Sequence, residues 1–311
     1  MYYFIINPNS SSGKGLLIWK SIEPVLKERN VDYHPFFTKD RESTAHLVKR
    51  LCTEKAPATI VAVGGDGTVN DVLNGLSNFE NITFGYIPSG SGNDLARGLH
   101  LETDPEKALE RILSPTRTES LRIGSVSAPA FSRRFLVSSG LGFDAAVCEG
   151  ALHSRFKKFL NQLHLGKLTY TGIALKELFL SHCPKAKLIL DEATVVEVPA
   201  MFFTAAMNLP YEGGGFQFCP KADPKDDRLD LILVEKMPKL KILCLLPTAF
   251  FGKHTRFHGV HIYTFKEATL ITERPLFLHT DGEIPRKTME ATWRLLPEKL
   301  SMILGLSLIH I

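Results

Sequence analysis

The chain has 311 residues, 44% hydrophobic and 23% charged, a make-up that excludes a disordered or fibrous protein. Its length exceeds the size at which single cores stop growing, so two domains are expected. The net charge of +4 is too small to argue for nucleic acid and compatible with docking on an anionic bilayer; five scattered cysteines without a Cys-x-x-Cys pair suggest neither zinc nor disulfides and fit a reducing cytoplasm.

The first 120 residues or so alternate short apolar runs with helical patterns, as a parallel sheet wrapped by helices does. Strands are expected at Tyr2–Asn7, Val31–Thr38, Thr59–Val63 and Ile82–Ile87, with helices over Lys14–Asn30 and Ser43–Glu54. From Arg122 to Leu295 the texture becomes β-rich, with strands at Phe135–Ser139, Ala186–Leu190, Ala200–Asn208, Leu229–Val234 and Ala268–Thr272. That pattern predicts an antiparallel sandwich. A helical insert near Cys148–His182 interrupts it. There Arg155, Lys157, Lys158, Lys167 and Lys176 mix with Phe156, Phe159, Leu160 and Tyr170. An interfacial helix on anionic headgroups and a helix packed on its own domain both fit this mixture. Tyr2–Ile6 lacks the basic lead of a signal segment. Ile242–Phe251, the greasiest stretch, contains Pro247 and falls short of the ~20 residues that span a bilayer. Leu306–Ile311 match the translation of a sequencing-adapter end, and no inference is drawn from them.

Behind Thr59–Val63 comes Gly64-Gly65-Asp66-Gly67-Thr68, followed by a helical pattern through Asn70 to Leu76. Glycines let the backbone approach an anion, and the starting helix turns its positive end to the same spot. The carboxylate of Asp66 would repel phosphate unless a cation stands between them, so the loop suggests phosphate together with Mg²⁺. A strand–helix turn with no ligand is the alternative for this loop alone. A second loop of similar build, Pro88-Ser89-Gly90-Ser91-Gly92-Asn93-Asp94, follows Ile82–Ile87. Asn93 or Asp94 can cap the helix beginning near Leu95. Two such loops after consecutive strands would lie together at the carboxyl edge of one sheet, where open α/β sheets bind ligands.

These segments, with Gly140-Leu141-Gly142-Phe143-Asp144-Ala145 and Asp281-Gly282-Glu283, occur in an order that resembles the diacylglycerol kinase catalytic-domain family. Its members are soluble bacterial lipid kinases related to sphingosine and ceramide kinases. The opening Asn7-Pro8-Asn9-Ser10 through Gly15 and the segments Pro220-Lys221-Ala222 and Asp226–Asp230 are similar too, so the likeness covers nearly the whole chain. A lone Gly-Gly-Asp-Gly would not separate it from NAD kinases. The resemblance implies a Rossmann-like, doubly wound nucleotide domain over residues 1–121, to which 296–311 return, and a β-sandwich substrate domain over 122–295. It implies ATP and Mg²⁺ as cofactors and a diacylglycerol-like lipid as acceptor. The protein would then work at the inner membrane surface from the cytoplasm, with a homodimer left open.

By the same resemblance Asn7, Pro8, Ser10, Thr38, Gly64, Gly65, Asp66, Gly67, Thr68, Asn70, Gly90, Ser91 and Asn93 form the nucleotide site. Asp66 and Asp94 would serve Mg²⁺, Asp227 a structural Mg²⁺, and Glu283 would be the general base. Asp281 would cap or brace its turn. Lys14 reads better as a solvated lysine at a helix start, because Gly13-Lys14-Gly15 is not a P-loop. Two departures stand out. Arg228 replaces a glycine usual in the family, which would distort the Asp227 loop if the backbone there needs glycine. Arg122 stands where many relatives carry an aspartate serving Mg²⁺. Asp94 or Asp144 would then take over, Arg122 would contact phosphate, or activity would be weakened. An NAD kinase-like enzyme and a lipid-binding pseudokinase without turnover are the alternatives.

Overall fold

The computed structural model describes residues 1–53, 57–153 and 166–305. Two compact units divide the chain: Met1–Ile123 with the segment from Leu296 onward, and Gly124–Leu295.

The first unit is a parallel sheet wrapped by helices. Its elements are β1 (Tyr2–Ile6), α1 (Lys14–Glu28), β2 (Tyr33–Phe37), α2 (Arg41–Leu51), β3 (Ala58–Gly64), α3 (Asp66–Gly75), β4 (Ile82–Pro88), α4 (Asp94–Gly98) and α5 (Pro105–Leu113). The spatial order β2-β1-β3-β4 is parallel throughout, and Ser301 and Met302 of the returning segment pair in parallel with Thr83 and Phe84. Ile18, Trp19, Ile22 and Leu26 put one face of α1 on Phe4, Ile6, Val61 and Val63, with the Trp19 and Phe4 rings 5.3 Å apart. This spacing is the apolar stripe of a helix lying on a sheet. α1 stops at Glu28, two residues before the expected end, because Asn30 turns left-handed (φ 50°). α2 starts earlier than expected, since the Asp40 side chain caps it by accepting from Ser43 N.

Register places the site. Ile6 pairs with Val63 and Gly64 with Pro88, so the loops leaving β1, β3 and β4 emerge side by side at the carboxyl edge.

The second unit is the antiparallel sandwich. It holds β6 (Phe131–Phe135), β7 (Ser138–Gly142), α6 (Phe143–His153), α7 (Gly166–Leu180), β8 (Ala186–Leu190), β9 (Thr194–Val198), β10 (Met201–Met207), β11 (Leu229–Glu235), α8 (Lys239–Ala249), β12 (Val260–Phe265) and β13 (Glu267–Thr280). Two further strands, β5 (Arg117–Ala128) and β14 (Glu283–Leu304), run out of one unit's residues into the other's. Strands β12-β11-β10-β7-β13-β14 follow one another in antiparallel pairs, with the β8–β9 hairpin on β13. Trp293 is fully buried among Phe135, Leu141, Phe265 and Leu278, and its indole N–H donates to Ser139 Oγ at 3.0 Å. The expected insert is helical at both ends, α6 and α7, while residues 154–165 lie outside the described residues, as do 306–311.

Candidate active site

In the first unit three loops are tied to one another. Asn7 Nδ2 donates to Thr68 Oγ1 at 3.1 Å, Ser10 Oγ and Ser89 Oγ share a 2.5 Å hydrogen bond, and Ser89 N donates to Gly64 O at 2.7 Å. Thr38 N donates to Ile6 O at 2.8 Å, which sets Thr38 beside Asn7 at the same edge. Pro8 and Ser10 are half-buried, Ser91 is exposed at the tip of its loop, and Lys14 is exposed. Asn70 is fully buried in α3, where Asn74 Nδ2 lies 3.3 Å from its Oδ1.

The glycines here are steric requirements. A Cβ on Gly90 would come 2.7 Å from Gly65 Cα, and one on Gly64 would come 2.3 Å from Thr68 Oγ1. A Cβ on Gly15 would come 2.1 Å from Asn7 O. Glycine is what lets these two loops touch backbone to backbone.

Asp66 does something its sequence context does not reveal. Its Oδ2 accepts from Asp94 N at 3.1 Å and its Oδ1 from Leu95 N at 3.2 Å, so it caps α4 from the neighbouring loop. The cap expected from Asn93 or Asp94 is absent. Asn93 is left-handed (φ 52°) and turns its amide back to Gly90 O at 2.9 Å. Burial pushes the Asp66 carboxyl above the ordinary carboxylate range, against the pull of the Leu95, Asp94 and Asn93 N–H groups. Tyr86, between the two loops, donates to Gly64 O and Asn93 Oδ1, both at 3.3 Å. Burial, then the charges of Asp66 and Asp94, hold its hydroxyl well above the usual range.

The donor set fits Mg²⁺. A Cβ on Gly92 would lie 3.4 Å from Asp66 Oδ2 and 3.7 Å from Asp94 Oδ2, so two carboxylates converge on one glycine. Mg²⁺ is usually held by one or two carboxylates, with waters and phosphate oxygens completing the octahedron. Arg122 lies half-buried in β5.

In the second unit Thr280 pairs with Glu283 across Asp281 (φ 48°) and Gly282 (φ 81°), a two-residue hairpin with both central residues left-handed. The expected brace is there. The Asp281 carboxylate accepts from Leu136 N (3.1 Å), Val137 N (2.9 Å) and Ser138 N (3.0 Å). Glu283 is half-buried at the start of β14. Asp227 is exposed in the turn before β11. Arg228 does not enter the left-handed region, so its replacing a glycine strains nothing; its N donates to Asp226 Oδ1 at 2.9 Å. Next to it, burial and then the charge of Asp226 push the Asp230 carboxyl up to about 6.

Sequence reasoning missed a buried trio. His279 Nε2 lies 2.9 Å from Asp144 Oδ2 and 3.1 Å from Glu212 Oε1, with all three residues buried. Asp144 is therefore committed to His279. Burial disfavours the charged ring, but the carboxylates of Glu212 and Asp144 outweigh it and hold His279 well above the usual range. The motif glycine Gly140 makes room for the trio, since a Cβ there would fall 1.9 Å from Asp144 Oδ2. Among the described residues this is the one group of three or more His, Cys, Asp or Glu side chains with metal-ligand spacing, its atoms within 4.8 Å of one another. Nε2 already faces both carboxylates as their donor, so the trio reads as an ion-pair cluster. Only Asp144 carried a local signal; Glu212 and His279 lie 68 and 135 residues away along the chain.

Glycine-rich loops at the carboxyl edge of a parallel sheet, with paired carboxylates, and an antiparallel sandwich make up a two-domain kinase fold. The chain belongs to the diacylglycerol kinase family: the diacylglycerol kinase catalytic domain matches residues 1–126, and the YegS C-terminal NAD kinase beta sandwich-like domain matches 137–304. It is 31% identical over 291 residues to a Bacillus subtilis protein named "Putative lipid kinase YtlR", covering 91% of this chain and 93% of that one. It is 29% identical to a diacylglycerol kinase of Mycobacterium tuberculosis over 90% of this chain and 87% of the relative. Its fold matches a crystal structure of a diacylglycerol kinase from Bacillus anthracis (TM-score 0.72, 20% identity, 99% and 98% of the chains covered). A looser match is an Archaeoglobus fulgidus NAD kinase in complex with ATP (TM-score 0.54, 16% identity, 97% and 93% covered).

Proposed function

We propose that this chain is an ATP-dependent kinase that phosphorylates the hydroxyl of a diacylglycerol-like lipid. The observation that carries it is the meeting of the β1, β3 and β4 loops, tied by Asn7–Thr68 and Ser10–Ser89, around the carboxylates of Asp66 and Asp94. Asn7, Pro8, Ser10, Thr38, the Gly64–Thr68 turn, Gly90, Ser91 and Asn93 take the nucleotide, and Asn70 supports them from inside α3. Asp66 and Asp94 hold Mg²⁺, which when bound neutralises charge on the phosphates. Asp227 serves a separate structural Mg²⁺. Glu283 takes the proton of the lipid hydroxyl as its oxygen attacks the γ-phosphorus; the bond from that phosphorus to the bridging oxygen breaks and ADP leaves. The lipid is reached from a membrane surface.

Asp66→Asn tests the assignment. The amide retains an acceptor for the α4 cap but loses the charge, so the protein stays folded and turnover with lipid and ATP is abolished. Mg²⁺-dependent binding of a fluorescent ATP analogue weakens in parallel. A folded variant with near-normal rate refutes it. Labelled ATP offered to a lipid panel and to NAD decides the acceptor: a labelled NAD product overturns the lipid reading. Arg122 supports a pseudokinase as the second reading, and bound ATP with no acceptor labelled would establish it.

A further inference from the structure

The face of α8 that points away from its own unit is as apolar as the face that points in. Ile242, Leu245 and Ala249 are buried. On the opposite side Leu240 (74% exposed), Cys244, Pro247 and, just past the helix, Phe251 (73% exposed) follow one another at helical spacing. A helix lying on a sandwich ordinarily shows polar residues to solvent. Here the apolar surface widens. Phe179 and Leu180 at the end of α7 are 60% and 56% exposed. They adjoin α8 through Lys239, whose ammonium donates to Phe179 O and sits 5.1 Å from the Phe179 ring centroid. At the other end Phe250 is held by stacking on Phe216, with ring centroids 4.2 Å apart, which leaves Phe251 projecting beside it.

Charge is arranged with this surface. Between Glu235 and Glu267 there is no acidic residue, while Lys236, Lys239, Lys241, Lys253, Arg256 and Lys266 contribute six positive charges. Lys241 donates to His258 O at 3.1 Å, which holds one of these cations against the segment that follows α8. At eleven residues α8 is about 16 Å long, too short to cross a bilayer, and no helix of the described residues is long and apolar enough to do so.

We infer that α8 and the segment through Phe257 form a docking surface for an anionic lipid bilayer. Leu240, Phe251, Phe179 and Leu180 enter the boundary between headgroups and acyl chains, and the lysines meet the anionic headgroups. The excess of cations along 236–266 repels the same face of a second copy and complements an anionic surface. This inference stands on the surface alone and does not depend on the reaction proposed above.

The test is co-sedimentation of the full chain with vesicles, without nucleotide, so that its failure is separable from failure of the kinase reading. Vesicles of phosphatidylglycerol mixed with phosphatidylcholine bind the protein, pure phosphatidylcholine binds it much less, and 0.5 M salt weakens the binding. The double variant Leu240→Ser/Phe251→Ser binds anionic vesicles at least about tenfold more weakly, from the loss of two large apolar side chains. Lys239→Glu/Lys241→Glu lowers binding by about fivefold or more per charge. The Leu240→Ser/Phe251→Ser variant keeps the wild-type melting temperature, since both side chains are exposed. Equal binding to neutral and anionic vesicles, no vesicle binding by the wild type, or undiminished binding by the Leu240/Phe251 variant overturns the inference. So does a wild-type dimer that the same variant converts to a monomer.

Discussion

Asp281→Ala removes one side chain that serves three backbone donors. Leu136, Val137 and Ser138, whose N–H groups point at the Asp281 carboxylate from 2.9–3.1 Å, are all essentially buried. Hydrogen bonds to a charged acceptor contribute about 1.5–3 kcal/mol each, and a buried donor left without a partner costs about 1–3 kcal/mol. Three donors on one carboxylate are not additive, because the strand can relax and admit water, so about 3–5 kcal/mol is expected. Alanine also bears the left-handed backbone at 281 (φ 48°), which adds about 1 kcal/mol. Asp281→Asn separates these contributions. Asparagine tolerates that conformation and keeps one acceptor oxygen, so its cost is about 1–3 kcal/mol. Gly282→Ala probes backbone alone, because nothing lies within 4 Å of a Cβ there and φ is 81°; about 1 kcal/mol is expected. The assay is urea unfolding combined with amide hydrogen exchange read at residues 136–138. Loss of protection at those amides should follow the order Asp281→Ala, Asp281→Asn, Gly282→Ala. An Asp281→Ala protein within about 1 kcal/mol of wild type, with the three amides still protected, refutes the reasoning.

Glu283→Gln keeps the shape and removes the proposed base, so kcat falls about 10²–10⁴-fold while ATP affinity stays; lost ATP binding with an intact rate at saturation would make Glu283 a binding residue. Gly90→Ala sets a methyl against Gly65 Cα at 2.7 Å. It destabilises by about 1–3 kcal/mol and weakens nucleotide binding by separating the loops, which calorimetry with an ATP analogue measures. His279 carries a pH signature. Its folded pKa is raised above the usual value, so its stabilising contribution is complete below about pH 6.5 and is lost as pH rises through the folded value. Melting temperature should therefore fall on the alkaline side. His279→Gln flattens that slope and costs about 3–5 kcal/mol, because two buried carboxylates lose their partner; an unchanged slope would refute the assignment.

The candidate site divides by sequence distance. The glycine loops were legible because each is a local device: β-branched strand, tight turn and helix start follow one another within a dozen residues, and steric need keeps the glycines. The parallel texture of the first unit and the β-rich texture of the second were legible for the same reason. α5, with Asp104 capping it and Pro105 at its first position, carried readable signals that went unread. What the chain could not announce are pairings between residues far apart in it. Asp66 looked like a cation ligand and is also the cap of a helix 28 residues on; Asp281 reaches back more than 140 residues to the strand amides at 136–138. Arg228 looked like a distortion and is none, because the fold asks no left-handed backbone there. Local sequence by itself determined where the chain turns and which residues line those turns, since turn and helix-start energetics act between neighbours. Tertiary structure alone decided which buried charges meet, because Asp144, Glu212 and His279 come together only when α6, the loop after β10 and β13 pack and exclude the water that would otherwise solvate each of them.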